Sequence, residues 1–301
     1  MNRSCPPLIV VALGGNAISP PHGDLSLGAE HRTVVTAIAD LVPIARAGAR
    51  LLIVHGNGPQ VGRLLSAPGV GDPARLDVHV AQTQGELGYL LAAALDESLG
   101  DGATVALVTR VRVDADDPAF ATPTKPLGPV LTHRPDGVPA VQMPDRSGWR
   151  RVVASPRPLA VIEQAAIAGL LAAHHVIAGG GGGVALARRG SGFSAPPAVV
   201  DKDYVAALLA VALDATQLVF VTDVAHAFDR FGARSQQPIA RMSIDHARKR
   251  LAAGAFAPGS MAPKVESAIQ FVAATHRTAV ITTVGAVDAA RRGEAGTTIT
   301  A

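Results

Sequence analysis

The chain has 301 residues, which is enough for one large α/β domain or for two lobes around a buried core. Hydrophobic residues make up 48% of the sequence and charged residues 17%, a composition that excludes a disordered chain. A formal net charge of +3 and an aromatic content of 3% argue against a nucleic-acid partner.

The sequence also lacks the features of a membrane or secreted protein. No apolar run approaches the ~20 residues of a membrane span, and the N-terminal apolar run is too short for the core of a signal peptide. The single cysteine, Cys5, excludes an internal disulfide and fits a reducing compartment. We therefore expect a cytoplasmic protein with no membrane partner.

Two predicted strands near the N-terminus are each followed by a glycine turn. Residues 8–13 and 51–54 are continuous apolar runs, typical of buried strands, and lead into Gly14-Gly15-Asn16 and Gly56-Asn57-Gly58. Between them, residues 30–48 have the apolar spacing of a helix, so the segment predicts a β-α-β unit and a parallel sheet. Glycines after a strand let the backbone approach a ligand and leave amides to bind an anion. The two turns are therefore predicted to form one pocket lined with backbone donors.

The middle of the chain changes character. Helices are predicted at residues 61–66 and 78–99 and a third buried strand at 103–108. Residues 111–158 contain many prolines and no sustained helical periodicity, but enough apolar residues for a small core, so we expect a protruding lid subdomain. Asp114, Asp116 and Asp117 within it lack the other ligands of a calcium loop and are interpreted as a solvated turn.

In the C-terminal part, strands are predicted at residues 175–178, 217–221, 239–242, 279–282 and 297–300, and helices at 159–172, 204–213, 244–251 and 261–274. Ser243 is the predicted N-cap of the helix at 244–251, and residues 188–198 are predicted to be a loop. Five consecutive glycines, residues 179–183, follow the first of these strands.

The glycine run could belong to a dinucleotide site. Gly180, Gly182 and Ala185 fit the relaxed fingerprint, with Asp201 about 20 residues further on. Further glycines follow within a few residues, however, and leave no room for the helix that this fingerprint requires. No Walker-type loop or protein-kinase motif set is present. A phosphate cradle made of bare backbone is the alternative that we favour.

Lysine is scarce in this sequence. Only four of the 27 basic residues are lysines, and Lys202 and Lys264 both lie at predicted helix starts, where the helix dipole attracts phosphate. Asp201 and Asp203 flank Lys202 and are predicted to cap the helix and hold the lysines. Each lysine alone would be interpreted as a surface ion pair. Together with the glycine turns they predict phosphoryl transfer, which needs positioning and charge neutralisation more than covalent chemistry.

These motifs resemble the carbamate kinase branch of the amino acid kinase family. The resemblance runs from residue 8 to about residue 299 and is carried by Gly14-Gly15-Asn16-Ala17, His55-Gly56-Asn57-Gly58-Pro59-Gln60, Asp117-Pro118-Ala119-Phe120, Pro123-Thr124-Lys125-Pro126, Arg151-Val152-Val153, the glycine run, Asp201-Lys202-Asp203 and Gly259-Ser260-Met261 with Pro263-Lys264.

The resemblance implies an open three-layer αβα sandwich with a mainly parallel central sheet and a small protruding lid, as a single domain over residues 1–300. Its N-terminal lobe (1–110 and 159–177) would hold carbamate or carbamoyl phosphate, residues 111–158 would form the lid, and the C-terminal lobe (178–301) would hold ADP or ATP. The implied reaction is reversible phosphoryl transfer between ATP and carbamate, with Mg²⁺ required, in a homodimer.

The same resemblance assigns residues to roles. The transferring phosphoryl group and the carbamate would be bound by Gly14, Gly15, Asn16, Gly56, Asn57 and Gly58. Lys125 would reach in from the lid, Lys202 and Lys264 would stabilise the transferred charge, and Asp203 would orient them. The nucleotide would lie against Gly179, Gly180, Thr222, Asp223, Ser260 and Met261. No covalent intermediate and no dedicated general base are expected, since carbamate is already an anion. A metal site on protein ligands is not expected either, since the histidines lack ligand spacing.

One stretch departs from the family pattern. The family usually continues Thr-Asp-Val with Asp-Gly-Val-Tyr beside the nucleotide, whereas Ala-His-Ala-Phe follows Val224 here, which changes the wall near the nucleotide. Two other hypotheses stay open. The protein could be an enzyme of the same fold that phosphorylates another small carboxylate or phosphate, or it could be a non-catalytic nucleotide-binding module. The second would predict loss of Lys202, Asp203 or Lys264, and all three are present.

Overall fold

The structure, a computed structural model, describes residues 6–20, 26–143 and 147–301, so Cys5 lies outside the described residues. The strands in this part of the chain are β1 (Leu8–Leu13), β2 (Arg50–His55), β3 (Thr104–Ala106), β4 (Arg110–Val113), β5 (Lys125–Leu131), β6 (Ala140–Gln142), β7 (Trp149–Val153), β8 (Pro158–Val161), β9 (His175–Ile177), β10 (Val184–Arg189), β11 (Gly192–Ser194), β12 (Gln217–Thr222), β13 (Ala227–Asp229), β14 (Gln237–Ile239), β15 (Arg241–Ser243), β16 (Ala279–Thr283) and β17 (Thr297–Thr300).

The α-helices are α1 (Gly15–Ile18), α2 (Leu27–Ala39), α3 (Val42–Arg46), α4 (Gly58–Ser66), α5 (Leu76–Leu99), α6 (Gln164–Leu170), α7 (Lys202–Ala212), α8 (Ile244–Ala252), α9 (Met261–Thr275) and α10 (Val287–Arg291). The predicted cap of α8 is confirmed, because the Ser243 hydroxyl accepts a hydrogen bond from the His246 amide at 3.3 Å. Among the described helices, none combines the length and apolarity needed to cross a bilayer.

The central sheet has eight strands in the order β15-β17-β16-β12-β1-β2-β9-β3. All neighbours in it are parallel except β16 and β17. β1 lies between β12 and β2, with Leu13 paired to Val221 on one side and to His55 on the other. Because parallel strands end at the same edge, the turns that follow β1, β2 and β12 meet there, as the sequence predicts for the first two.

Helices cover both faces of this sheet. Along β1, Ile9, Val11 and Leu13 point to a core shared with α2, α3 and α5, whereas the intervening residues point to a core shared with α7 and α9. A strand buried on both faces reads as a continuous apolar run, which is why β1 could be predicted. The predicted three-layer α/β architecture with a mainly parallel sheet is confirmed.

Three smaller sheets flank the central one. β5, β7 and β6 form a three-stranded antiparallel sheet in that order, and Lys125 is the first residue of β5. A four-stranded sheet has the order β11-β10-β4-β8, and β13 pairs with β14. The small sheets place two segments, β5 and the β13 region, beside the edge where the central strands end.

Three sequence predictions of local structure are wrong. Residues 30–48 form two helices, because Pro43 lies in the first turn of α3 and cannot continue α2. The predicted helix at 159–172 begins as strand β8, which pairs antiparallel with β4, and only its second half is helical. Residues 188–198 are not all loop, because β10 and β11 form a hairpin whose turn contains Gly190 at a φ of +58°.

Candidate functional site

A cavity of about 270 Å³ opens where β1, β2 and β12 end. It is lined by both glycine turns, by the start of β5, by the start of α7 and by the residues that precede α9. The charged side chains on its wall are three lysines and three aspartates, Lys125, Lys202, Lys264, Asp201, Asp203 and Asp223. Their formal charges cancel, so the cavity is balanced before any substrate binds.

The first glycine of each turn serves the packing of the turns. The Gly14 amide donates to the Val221 carbonyl at 2.8 Å and the Gly56 amide to the Leu13 carbonyl at 2.9 Å, so each bond adds a rung to the sheet. A Cβ on Gly14 would lie 2.9 Å from the Val221 oxygen, and one on Gly56 would lie 2.7 Å from the Gly15 nitrogen. These two amides are therefore unavailable to an anion, and the predicted backbone donors must come from other amides of the turns.

The two asparagines fix the turns to their surroundings. Asn16 donates from Nδ2 to Asp223 Oδ2 at 3.1 Å, which joins the first turn to the end of β12. Asn57 is almost fully buried and donates from Nδ2 to the Thr83 hydroxyl on α5 at 2.8 Å. Both border the cavity together with Gly15 and Gly58, so the structure brings the predicted turn residues into one site.

Asp203 joins the two lysines on which the sequence argument depends. Lys202 Nζ lies 2.6 Å from Asp203 Oδ1, and Lys264 Nζ lies 3.2 Å from Asp203 Oδ2. Lys264 Nζ also donates to the Ser260 carbonyl at 3.1 Å. Burial and the neighbouring charge of Lys202 lower the pKa of Lys264, and Asp203 opposes them. An anion entering the cavity would meet two ammonium groups held by one carboxylate.

Lys125 reaches the same cavity from β5. Its Nζ lies 2.7 Å from Asp201 Oδ2, while Asp201 Oδ1 accepts from the Asp203 amide and so caps α7. Burial alone would raise the pKa of Asp201, but Lys125 and Lys202 outweigh it and hold that pKa at about 2. The start of α7 therefore places its two aspartates in contact with the other two lysines of the cavity, Asp201 with Lys125 and Asp203 with Lys264.

The glycine run lies beneath the cavity floor. Gly179 packs against Val205 and Val54, and Gly180 packs against His55. Neither borders the cavity, and the role in nucleotide binding that the resemblance implies for them stays a prediction. Gly181 does border the cavity, and a Cβ at this position would lie 2.1 Å from the side-chain nitrogen Nδ2 of Asn57.

His55 shapes the second turn from below. It is buried, and its Nδ1 donates to the Gly56 carbonyl at 3.0 Å. Burial lowers the pKa of His55 to about 4, so the ring is neutral at physiological pH. A neutral, buried ring beneath Gly56 fits the structural role that the sequence suggests.

A second, apolar cavity of about 160 Å³ adjoins the first. The two share Thr222, Asp223 and Ser260, and beyond these the second is lined by Val224, Phe228, Phe231, Ala255, Phe256, Ala257 and Met261. Sequence reasoning named Met261 and the shared residues and placed Phe228 in the wall near the nucleotide, but it missed Phe231 and Phe256. Phenylalanine is scarce in this sequence, and three of its seven phenylalanines line this cavity, which is the one sequence feature that could have indicated them.

The described residues hold no group of three or more His, Cys, Asp or Glu side chains that could bind a metal ion. At the strand ends of this three-layer α/β fold, glycine turns face clustered lysines and adjoin the second, apolar cavity. These features together define a protein that binds phosphate and a flat apolar group. Residues 7–283 match the model of the amino acid kinase family, and the chain belongs to that family.

Several named proteins are similar to this chain over nearly its full length. Carbamate kinase of Lentilactobacillus hilgardii is 39% identical, over 97% of this chain and 96% of its own. A carbamate kinase-like protein of Escherichia coli is 38% identical, over 97% and 98%. The structure of Giardia lamblia carbamate kinase bound to AMP-PNP superposes with a TM-score of 0.88 at 31% identity, covering 98% of each chain.

Proposed function

We propose that this protein is a carbamate kinase, which transfers a phosphoryl group reversibly between carbamoyl phosphate and ADP. The observation that carries the proposal is the contact of Lys202 and Lys264 with one carboxylate, Asp203, opposite the glycine turns. The activity named for the relatives supports the choice of substrates.

The two joined cavities suggest how the substrates lie. We place carbamoyl phosphate between the glycine turns and Lys125, in the N-terminal lobe beneath the lid. We place the nucleotide in the C-terminal lobe, with its base in the second, apolar cavity beside Phe231 and Met261. Its phosphates would then lie along Thr222 and Ser260, which both cavities share. The transferring phosphoryl group then lies between the two substrates, next to Lys202 and Lys264.

The chemistry makes few demands on the protein. A β-phosphate oxygen of ADP attacks phosphorus, the bond from phosphorus to the carbamoyl oxygen breaks, and carbamate leaves as an anion. The total charge of carbamoyl phosphate and ADP equals that of carbamate and ATP, so no proton needs to be transferred. The chain's part is to hold the reactants in line and to neutralise the charge on the transferring oxygens, which Lys202 and Lys264 do.

Mg²⁺ belongs to the proposal, and the aspartates on the wall indicate where it would bind. Asp201 and Asp203 are paired with lysines, whereas the half-exposed Asp223 accepts hydrogen bonds from Asn16 and Thr222. Mg²⁺ in nucleotide sites is held mainly by phosphates and water, with one or two carboxylates. Asp223 fits that role, and the ion would add positive charge against the nucleotide phosphates.

A homodimer in the cytoplasm completes the proposal. Leu27, Val35 and Tyr89 are exposed on α2 and α5, which are neighbouring helices of one layer, and a second copy would cover them. Sedimentation equilibrium should give twice the mass of one chain, and a monomer would contradict this part. The single cysteine fits a reducing compartment.

The activity is tested by ATP formation from carbamoyl phosphate, ADP and Mg²⁺. Lys264→Ala and Lys202→Ala are each expected to lower kcat by on the order of 10²–10³, because each removes a fixed cation from the transition state. Lys249→Ala is the matched control, since Lys249 is exposed on α8 away from the cavity. Wild-type protein that makes no ATP, but phosphorylates another small acid, would contradict the substrate assignment.

A further inference from the structure

Arg157, Tyr204 and Glu266 form a compact cluster outside both cavities. The Arg157 guanidinium carbon lies 3.7 Å from the centre of the Tyr204 ring. The Tyr204 hydroxyl donates to Glu266 Oε2 at 2.8 Å, and Arg157 Nη2 donates to the same oxygen. The Arg157 amide also donates to Asp117 Oδ2 at 2.9 Å, so both the backbone and the side chain of Arg157 are fixed.

The cluster lies directly behind the lysines of the site. Tyr204 follows Asp203 on α7, and Glu266 lies two residues after Lys264 on α9. Neither Tyr204 nor Glu266 borders the cavity. Burial and Glu266 raise the pKa of the Tyr204 phenol, so the phenol keeps its proton and remains the donor. The cluster therefore holds the N-terminal parts of the two helices from the side away from the cavity.

The cluster is also connected to Lys125 through the backbone. Residues 154–157, which we call the strap, join β7 to β8. The last residue of β7, Val153, is the register partner of Lys125 in β5. At the start of the strap, the Ala154 carbonyl accepts from the Val199 amide at 3.0 Å, and Arg157 ends the strap. Fixing Arg157 therefore fixes the base of the strand that carries Lys125.

We propose that Arg157, with Tyr204 and Glu266, acts as a positioning clamp that sets the strand bearing Lys125 against the helix starts bearing Lys202 and Lys264. This inference rests on the proposed function, because it assigns Lys125 to carbamoyl phosphate. Without the clamp, the strand bearing Lys125 would be held to the residues around the start of α7 by the bond between the Ala154 carbonyl and the Val199 amide and by the ion pair of Lys125 with Asp201. That ion pair lies inside the cavity, where the anionic substrate competes for the same ammonium group.

The kinetic test compares Arg157→Ala with Arg110→Ala. Arg110 is a matched control, because it is similarly exposed and its Nε is paired with Glu163 at 2.7 Å, away from the cavity. Arg157→Ala is expected to raise KM for carbamoyl phosphate on the order of tenfold and to leave KM for ADP unchanged. Arg110→Ala should change neither. Equal changes in both KM values, or none, would overturn the proposal.

A double-mutant cycle separates positioning from general stability. If Arg157 acts through Lys125, Arg157→Ala should have little further effect on kcat/KM for carbamoyl phosphate in a Lys125→Ala background. Fully additive losses would contradict the clamp. Tyr204→Phe keeps the ring and removes only the hydrogen bond to Glu266, so it should give a smaller shift in the same direction. It also keeps the test valid if Arg157→Ala does not fold.

Hydrogen exchange tests the clamp without requiring activity. Amides of β5 and β7 should exchange faster in Arg157→Ala than in wild type, whereas Arg110→Ala should leave them unchanged. Unchanged exchange in β5 would refute the clamp even in an active enzyme. If the wild type makes no ATP but exchange in β5 responds to Arg157→Ala, the proposed function fails and the mechanical coupling stands.

Discussion

Replacing Asp203 by asparagine removes the carboxylate that Lys202 and Lys264 share while keeping the shape of the side chain. Asp203 is only 2% exposed, and its two oxygens lie 2.6 and 3.2 Å from the two lysine nitrogens. The change leaves two ammonium groups facing each other in a largely buried site. It therefore tests whether their spacing and protonation depend on this residue.

The expected loss follows from Coulomb's law. In the wild type the Asp203 carboxylate compensates the mutual repulsion of the two ammonium groups. At an assumed separation of about 6 Å and an effective dielectric constant of about 20, that repulsion is about 3 kcal/mol, and Asp203→Asn leaves it uncompensated. Since about 1.4 kcal/mol corresponds to a factor of ten in rate, kcat/KM should fall on the order of 10². Asp203 also opposes the lowering of the Lys264 pKa, so that pKa should fall further in the variant.

The assay is the pH dependence of kcat/KM for carbamoyl phosphate. Lys264 must carry a proton to neutralise phosphate, so activity should decline as pH rises through its pKa, and the decline should begin at lower pH in Asp203→Asn. Glu163→Gln is the control, because it removes the carboxylate paired with Arg110, outside the cavity. An unchanged alkaline limb in Asp203→Asn would refute the assigned role of Asp203.

Three further variants test the base-binding cavity, the support of Asn57 and the protonation of His55. Phe231→Ala should raise KM for ADP by roughly tenfold through lost stacking, with KM for carbamoyl phosphate unchanged, whereas the similarly exposed Phe193 should tolerate alanine. Thr83→Val removes the acceptor of the Asn57 amide and should lower kcat/KM for carbamoyl phosphate about tenfold, while Thr83→Ser should restore it. Burial lowers the pKa of His55 from 6.5 to about 4, so the unfolded state binds more protons and stability is lost as pH falls through this window. Urea unfolding at pH 7.5 and pH 5 should therefore show wild type losing about 2 kcal/mol more than His55→Gln.

The central sheet could be predicted because burial on both faces leaves a continuous apolar run. β1 and β2 have that pattern and end in glycines, so both the parallel pairing and the meeting of their turns follow from the sequence. β8 lacks such a pattern. It lies in a peripheral sheet with Leu159 half exposed, and its apolar residues continue into α6, so spacing alone indicates one helix.

Residue roles were harder to predict than elements. Scarcity singled out Lys202 and Lys264, and the structure places both on Asp203. The same reasoning could not tell a glycine that faces a ligand from one that lets two segments pack, and Gly180 is of the second kind. Contacts between distant segments, such as Arg157 with Glu266, have no local signal, because each partner alone reads as an exposed charge.

The phosphoryl group itself can be followed by ³¹P NMR in a mixture of carbamoyl phosphate, ADP, Mg²⁺ and wild-type protein. We expect the carbamoyl phosphate signal to be replaced in equal amount by the γ-phosphate signal of ATP, and Lys264→Ala to slow this replacement by on the order of 10²–10³. Release of orthophosphate in place of ATP, or transfer at an undiminished rate in the variant, would contradict this expectation.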